Sequence, residues 1–134
     1  MNLEVFAICD AATDSQGKLN ILGAFDTIFA KELPARHPLC TIVVRVRFSR
    51  EEEGEHKIFI DLIDDLEAPL VPRYEMTFTV RVPGEEPYAT TNFIINFQNL
   101  ALNRYGEHKI KLDIDGKLKA TLPLFVRRPR ESQG

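Results

Sequence analysis

The sequence predicts an all-β protein, a two-sheet antiparallel sandwich that is immunoglobulin-like in general plan and has eight or nine strands. Apolar residues recur at every second position from end to end, and no long window shows the 3.6-residue period of an amphipathic helix. Turn residues interrupt the alternation roughly every ten residues, as in sandwiches. The 134 residues suit one domain, which we place at 1–128, followed by a flexible C-terminal tail at 129–134.

The first strands are predicted at 3–10 and 18–30. Between them, 11–17 is rich in Thr, Asp, Ser and Gly and predicts a turn. Gly23 lies in the middle of the second segment and indicates a bulge or bend, which would split it into two pieces at a corner of the sandwich. Two prolines make 31–38 a crossing loop.

The middle of the chain alternates more strictly. Its predicted strands are 39–49, 56–64, 73–82 and 88–98. Charged, proline-rich or glycine-containing segments at 50–54, 66–72 and 83–87 are the connections between them. The segment 99–104 is predicted to be a further connection, with room for one short helical turn.

The last two strands are predicted at 107–114 and 117–126. They flank Asp115-Gly116, and Asp-Gly between two alternating segments is a strong hairpin signal because both residues tolerate positive φ. Pro123 has no N–H to donate, which places the last strand at an edge or at a bulge.

Composition and charge argue against several classes of partner. The net charge is −3, with acids and bases mixed along the chain, so nothing favours nucleic acid. No segment approaches the ~20 apolar residues of a membrane span, and the start lacks the basic region of a signal peptide. The expected location is therefore the cytoplasm. The basic cluster Arg127, Arg128 and Arg130 is interpreted as a solubilising tail.

Cys9 and Cys40 lie in apolar, alternating segments. A reducing cytosol argues against a disulfide, and two cysteines without directly neighbouring histidines make a poor metal site. We expect two buried thiols that behave as small hydrophobic side chains.

The pentapeptide Gly-Glu-His-Lys-Ile occurs twice, at 54–58 and 106–110. Because side chains alternate along a strand, His56 and His108 each begin the inward, apolar face of their strand, while the neighbouring acidic residues point the other way. A metal site needs converging ligands. We therefore expect a structural role, with imidazole nitrogens that reach loop carbonyls or water at the end of the core.

Other signs of chemistry are weak. The chain contains no nucleophile elbow, phosphate-binding loop, dinucleotide-binding motif or zinc-protease motif, so no catalytic, cofactor-binding or metal-binding residue and no cofactor is assigned. The acidic segment 51–53 and the pair Asp64-Asp65 lack the spacing of a calcium loop and are interpreted as solvated turns.

One apolar group stands out on the predicted outer face. Val43, Phe59 and Ile63 point outward from two consecutive strands that a tight turn connects, and these strands are predicted to pair. A cluster that includes Phe indicates a contact surface for a second copy or a protein partner. The alternative is cover by a loop or tail.

Several motifs resemble a family of short, uncharacterised bacterial proteins of about this length. They are Cys9-Asp10-Ala11, Gly-Lys-Leu-Asn-Ile-Leu-Gly at 17–23, Leu33-Pro34, and Tyr105-Gly106-Glu107-His108 with Asp115-Gly116. The resemblance covers nearly the whole chain. It implies an all-β sandwich without an established activity, and it carries over no functional residue.

The sequence thus predicts a non-enzymatic module for protein–protein interaction or assembly. The alternative is a module that binds a small ligand or carbohydrate through loops at one end of the sandwich. A hydrolase or metal-dependent enzyme built on His56 and His108 is the third hypothesis. Sandwiches host all three, so the fold alone does not choose among them.

Overall fold

The computed structural model describes residues 1–130, which form nine β-strands and one 3-10 turn. The strands are β1 (Asn2–Ser15), β2 (Lys18–Phe25), β3 (Thr27–Phe29), β4 (Ala35–Ser49), β5 (Gly54–Ile63), β6 (Tyr74–Val80), β7 (Tyr88–Leu102), β8 (Gly106–Ile114) and β9 (Lys117–Arg127). The 3-10 turn, Arg50–Glu52, connects β4 to β5.

The strands form a four-stranded sheet in the order β2-β1-β4-β7 and a five-stranded sheet in the order β3-β9-β8-β5-β6. All neighbours are antiparallel except β3 and β9. The order β9-β8-β5-β6 matches the G-F-C-C′ strands of an immunoglobulin variable domain, and β1-β4-β7 matches A-B-E. The predicted fold class is confirmed.

The core lies between the two sheets and comes from the inward faces predicted by the period-two pattern. Apolar side chains of β4 meet those of β5 and β8 across the sandwich. The core members from these three strands, each no more than 1% exposed, are Cys40, Ile42, Val44, Val46, Phe48, Ile58, Ile60, Leu62, Ile110, Leu112 and Ile114.

Three predicted boundaries are wrong, because strand pairing continues into segments with turn-like composition. β1 extends to Ser15, which pairs with Lys18, so the turn contracts to Gln16-Gly17 with φ of 54° and 81°. β4 begins at Ala35 inside the predicted loop 31–38. β7 extends to Leu102 through the predicted connection 99–104.

The predicted division of 18–30 is confirmed, and its two pieces, β2 and β3, belong to different sheets. The break lies at Asp26, whereas Gly23 stays inside β2. Gly23 has a φ of 69°, and a Cβ atom there would lie 2.5 Å from Oδ2 of Asp10. The glycine is therefore needed for the close approach of the Asp10 carboxylate.

The closing hairpin is confirmed, with φ of 56° at Asp115 and 82° at Gly116. β9 is not the outermost strand of its sheet. However, β3 pairs only with its last residues, so Pro123 lies where β9 has no second neighbour. Of the predicted tail, residues 129 and 130 lie outside any strand, and 131–134 fall outside the described residues. No helix within residues 1–130 has the length and apolar character to cross a membrane.

Candidate functional site

The predicted contact surface of Val43, Phe59 and Ile63 does not form. β4 pairs with β1 and β7, whereas β5 pairs with β6 and β8, so Val43 lies in one sheet and the other two residues lie in the opposite sheet. Val43 is also completely buried, at 0% exposure. The predicted pairing of β4 with β5 is wrong because the 3-10 turn carries the chain from one sheet to the other.

The outer face around Val43 is covered by the end of the β1–β2 hairpin, residues 11–22, which we call the hairpin arm. Arg45 donates a hydrogen bond to the carbonyl of Gly17 at 3.1 Å. Asn92 donates to Asp14 at 3.0 Å and to the same carbonyl at 3.2 Å. These bonds hold the tip of the arm across β4 and β7. The predicted alternative was cover by a loop or tail; the cover over Val43 comes instead from a strand hairpin.

Phe59 and Ile63 remain half-buried on the outer face of the five-stranded sheet. The guanidinium of Arg73 lies 4.2 Å from the centre of the Phe59 ring, a cation–π contact. Ile63 pairs with Lys109 and forms a bridge to Pro69. Neighbouring side chains thus partly cover both residues, and no continuous apolar patch results.

The two copies of Gly-Glu-His-Lys-Ile begin strands β5 and β8, which are antiparallel neighbours. In their register Ile58 faces Ile114 and Leu62 faces Ile110. A local twofold axis therefore relates the copies, and their histidines lie at opposite ends of the sheet. This arrangement excludes a shared site built on both histidines.

Both histidines make the same local contact. Nε2 of His56 donates to the carbonyl of Glu52 at 2.6 Å, and Nε2 of His108 donates to the carbonyl of Arg104 at 3.1 Å. In each case the acceptor is four residues earlier, so the imidazole closes the turn that enters the strand. The predicted contact with loop carbonyls is confirmed, and the repeat is one structural device used twice.

The surroundings of the second ring nitrogen differ. Nδ1 of His56 lies 2.6 Å from Oδ2 of Asp115, whose other oxygen accepts from the backbone N–H of Lys57 at 2.9 Å. Both neighbours of the His56 ring are acceptors, so this arrangement favours the doubly protonated, charged imidazole. Burial by itself lowers the pKa of His56, but the hydrogen bonds to Asp115 and Glu52 outweigh it and raise that pKa above 6.5.

In the second copy Ile63 occupies the place of Asp115, because Ile63 pairs with Lys109 as Asp115 pairs with Lys57. Nδ1 of His108 has no hydrogen-bond partner among the described residues and is inaccessible to water. A ligand could reach this atom only if the packing opened. His108 is therefore not assigned as a binding group.

Residues 1–130 contain no group of side chains arranged to bind a metal ion, and neither of their cysteines is placed to act as a nucleophile. No three His, Cys, Asp or Glu side chains there are placed to share a metal ion. Cys9 and Cys40 are free thiols with no exposed surface, as the sequence predicts. Burial, together with the neighbouring Cys9 sulfur, raises the pKa of Cys40 to about 11, which keeps it protonated and unreactive at neutral pH.

An open groove of about 480 Å³ lies where β2 leads into β3. Asp10, Phe25, Phe29 and His37 are among its lining residues, and the Phe29 ring is 59% exposed. A carboxylate beside an exposed aromatic ring is the type of lining found in sites for small polar ligands.

The outer edge of β7 is the feature that the sequence analysis misses. β7 is the last strand of its sheet and is hydrogen-bonded there to β4 alone. It is fifteen residues long, and it contains no charged residue, no proline and no glycine. Alternate backbone N–H and C=O groups along such a strand point away from the sheet and are free to bind another strand.

The other three outer strands are protected in the ways that natural sheets use. β3 has only three residues. β6 has seven, carries Glu75 and lies between Pro72 and Pro83. β2 begins with Lys18 and is bent at Gly23. Along residues 88–98 β7 has none of these devices; the one residue of positive φ in this strand, Asn99, lies beyond them.

β7 is also held straight along its inner side. It pairs with β4 without a register shift from Tyr88 to Leu102. Asn96 accepts a hydrogen bond from the hydroxyl of Thr41 at 2.7 Å, and Asn92 accepts from Arg45 at 2.9 Å. The edge is therefore preorganised, which lowers the entropy cost of adding a strand.

Comparison with known proteins finds one family. A sequence model described as a family of unknown function (DUF6941) matches residues 4–127. No curated protein matches the chain.

Proposed function

Because the chain belongs to DUF6941, a family of unknown function, across residues 4–127, we propose its role from its own surface: it is a non-enzymatic module for protein–protein interaction or assembly. The contact element is the outer edge of β7, which adds a strand from a protein partner. The carrying observation is that, among the outer strands of the described residues, only β7 offers a long run, 88–98, without charge, proline or a residue of positive φ.

Strand addition suits this edge for two reasons. Main-chain hydrogen bonds supply affinity without a deep pocket, and the side chains of alternate residues supply selectivity. The exposed side chains of β7 are all uncharged: Tyr88, Thr90, Asn96, Gln98 and Asn99. Such a row can hydrogen-bond to a neighbouring strand without leaving a charge unpaired.

A photo-crosslinking side chain placed at Gln98, in cells that make the protein, tests this function. The matched control is the same side chain at Thr77, which is exposed on the outer strand β6. We expect an adduct from position 98 and none from position 77. Thr90→Lys combined with Asn96→Lys in the same chain, which puts two charges on this edge, should abolish the adduct. Failure to form an adduct at Gln98, or one that survives this double substitution, would refute the role of this edge.

The second candidate function, binding of a small ligand or carbohydrate, is favoured by the groove beside Phe29. Its exposed ring could stack on a sugar while Asp10 accepts hydrogen bonds from hydroxyl groups. The groove lies at the edges of β2 and β3 and not at loops of one end. NMR titration with a panel of monosaccharides should shift resonances of the groove residues Phe25 and Ile28 in the native chain and not in Phe29→Ala; no shift with any sugar would exclude this function.

A further inference from the structure

We infer that the partner strand at β7 is β7 of a second copy of this chain, antiparallel across a twofold axis. This inference rests on the proposed function and specifies the partner. The two four-stranded sheets would then continue into one eight-stranded sheet. A twofold interface, in which both copies use the same surface, is the commonest kind among soluble homo-oligomers.

Charge is the first argument for a second copy. When a strand pairs with a copy of itself, both strands carry the same residues. A group of like charges near the axis would then face the same charges on the second copy. β7 has no charged residue in its fifteen positions, although 28% of the whole chain is charged. No register of self-pairing therefore brings like charges together, and like charges directly opposite each other destabilise a pair. A partner recognised by charge would find nothing to bind here.

The faces of the strand restrict the register. Inward residues must oppose inward residues, because a shift by one residue would turn the buried row to solvent. At the twofold axis, one residue of β7 must therefore lie directly opposite the same residue of the second copy. The regular part of the edge ends before Asn99, where φ is 53°. An axis at Phe93 pairs the whole regular part, from Tyr88 to Gln98.

Side-chain sizes agree with this register. On the inward face it sets the half-buried ring of Phe97 opposite Ala89, so a large side chain meets a small one. On the outer face it sets Thr90 opposite Asn96, two uncharged groups that can hydrogen-bond. Both pairs occur twice, once on each side of the axis.

The test is a pair of double variants that differ only in the sign of one charge. Thr90→Lys with Asn96→Lys puts lysine opposite lysine at both places, and we expect the dissociation constant of the dimer to rise by about tenfold or more. Thr90→Lys with Asn96→Glu puts lysine opposite glutamate, and this variant should stay dimeric. Within one chain the two positions are six residues, or about 20 Å, apart, so the charges act between chains.

Light scattering after size-exclusion chromatography, over a range of protein concentrations, gives the mass of each species. Both variants replace Asn96, which accepts from the Thr41 hydroxyl, and circular dichroism with thermal unfolding checks that both are folded to the same extent. A dimeric native chain and Lys/Glu variant, beside a monomeric Lys/Lys variant, support the inference. A monomeric native chain, or a Lys/Glu variant that dissociates as readily as the Lys/Lys variant, overturns it.

The inference and the proposed function can fail separately. A purified chain that remains monomeric while Gln98 crosslinks to a different protein in cells would overturn self-pairing and leave the interaction role of β7 intact. Absence of any adduct at Gln98 would remove the interaction role itself.

Discussion

Replacing Asp115 by Asn should lower the pKa of His56 and weaken the protein below neutral pH. The substitution removes the charge that faces Nδ1 of His56. An asparagine keeps an oxygen that can accept from the N–H of Lys57, and Asn-Gly is as well suited to the hairpin turn as Asp-Gly. The change therefore isolates the ionic contact from the turn.

The direction in which stability changes with pH follows from the direction in which the pKa of His56 is shifted. The pKa of His56 is raised in the folded state above 6.5, so its contribution to stability is fully present below that value and is lost as pH rises through the folded pKa. The side chain of His56 is 14% exposed and that of Asp115 is 41% exposed, so solvent partly screens the contact. The contact is intermediate between an exposed ion pair and a buried charged hydrogen bond. We therefore expect it to contribute about 1 kcal/mol to the free energy of unfolding.

Urea unfolding of both chains from about pH 6 to about pH 8 measures this contribution, and NMR of the His56 ring protons measures its pKa. The native chain should lose stability over this range, and Asp115→Asn should lose less. The control is Asp61→Asn, which removes a carboxylate 3.3 Å from Arg73 and should leave the His56 titration unchanged. A His56 that titrates at or below 6.5 in the native chain would refute the reasoning.

Three further predictions concern packing. Cys9 and Cys40 should resist alkylation in the native protein and react after unfolding, which mass spectrometry will show; rapid native labelling of either would contradict their burial. Val43→Ala should lower the free energy of unfolding by about 2 kcal/mol, because Val43 has no exposed surface; a loss below about 0.5 kcal/mol would mean that nothing covers it. Gly23→Ala should cost at least about 1 kcal/mol in thermal unfolding, because its Cβ would meet Asp10 at a positive φ, and a neutral result would contradict that approach.

The period of two was enough to predict the core, since the buried apolar residues of β4, β5 and β8, other than Val43, lie on the inward face that alternation assigns to them. The hairpin at Asp115-Gly116 was equally predictable, because only a few residue types tolerate positive φ at both turn positions. The contacts of His56 and His108 with carbonyls followed from their place at the start of an inward face.

The error in placing Val43 beside Phe59 has a physical cause. A short connection between alternating segments usually makes a hairpin, but here Ser49 closes a helical turn. Its N–H and its hydroxyl both donate to the Glu52 carboxylate, at 2.9 Å and 3.1 Å. That turn lifts the chain into the opposite sheet. The Ser-x-x-Glu spacing was the available signal.

The edge of β7 could be found only in part from the sequence. Its uncharged composition is visible in the printed letters. Whether such a strand is central or outermost depends on sheet order, which long-range pairing decides and local patterns do not report. The same holds for the hairpin arm, whose path over Val43 depends on the bonds that Arg45 and Asn92 make to a distant turn.

Because β5 and β8 are antiparallel, His56 and His108 lie at opposite ends of the five-stranded sheet, which we call its poles. Each histidine can serve as a native NMR probe of its own pole. The ring of His56 reports on the pole where the first residue meets Glu52, through their shared turn. The ring of His108 reports on the pole where Asp65 and Arg104 join two loops. A single NMR spectrum of imidazole protons can therefore tell which pole a mutation or a bound molecule disturbs, with no label introduced.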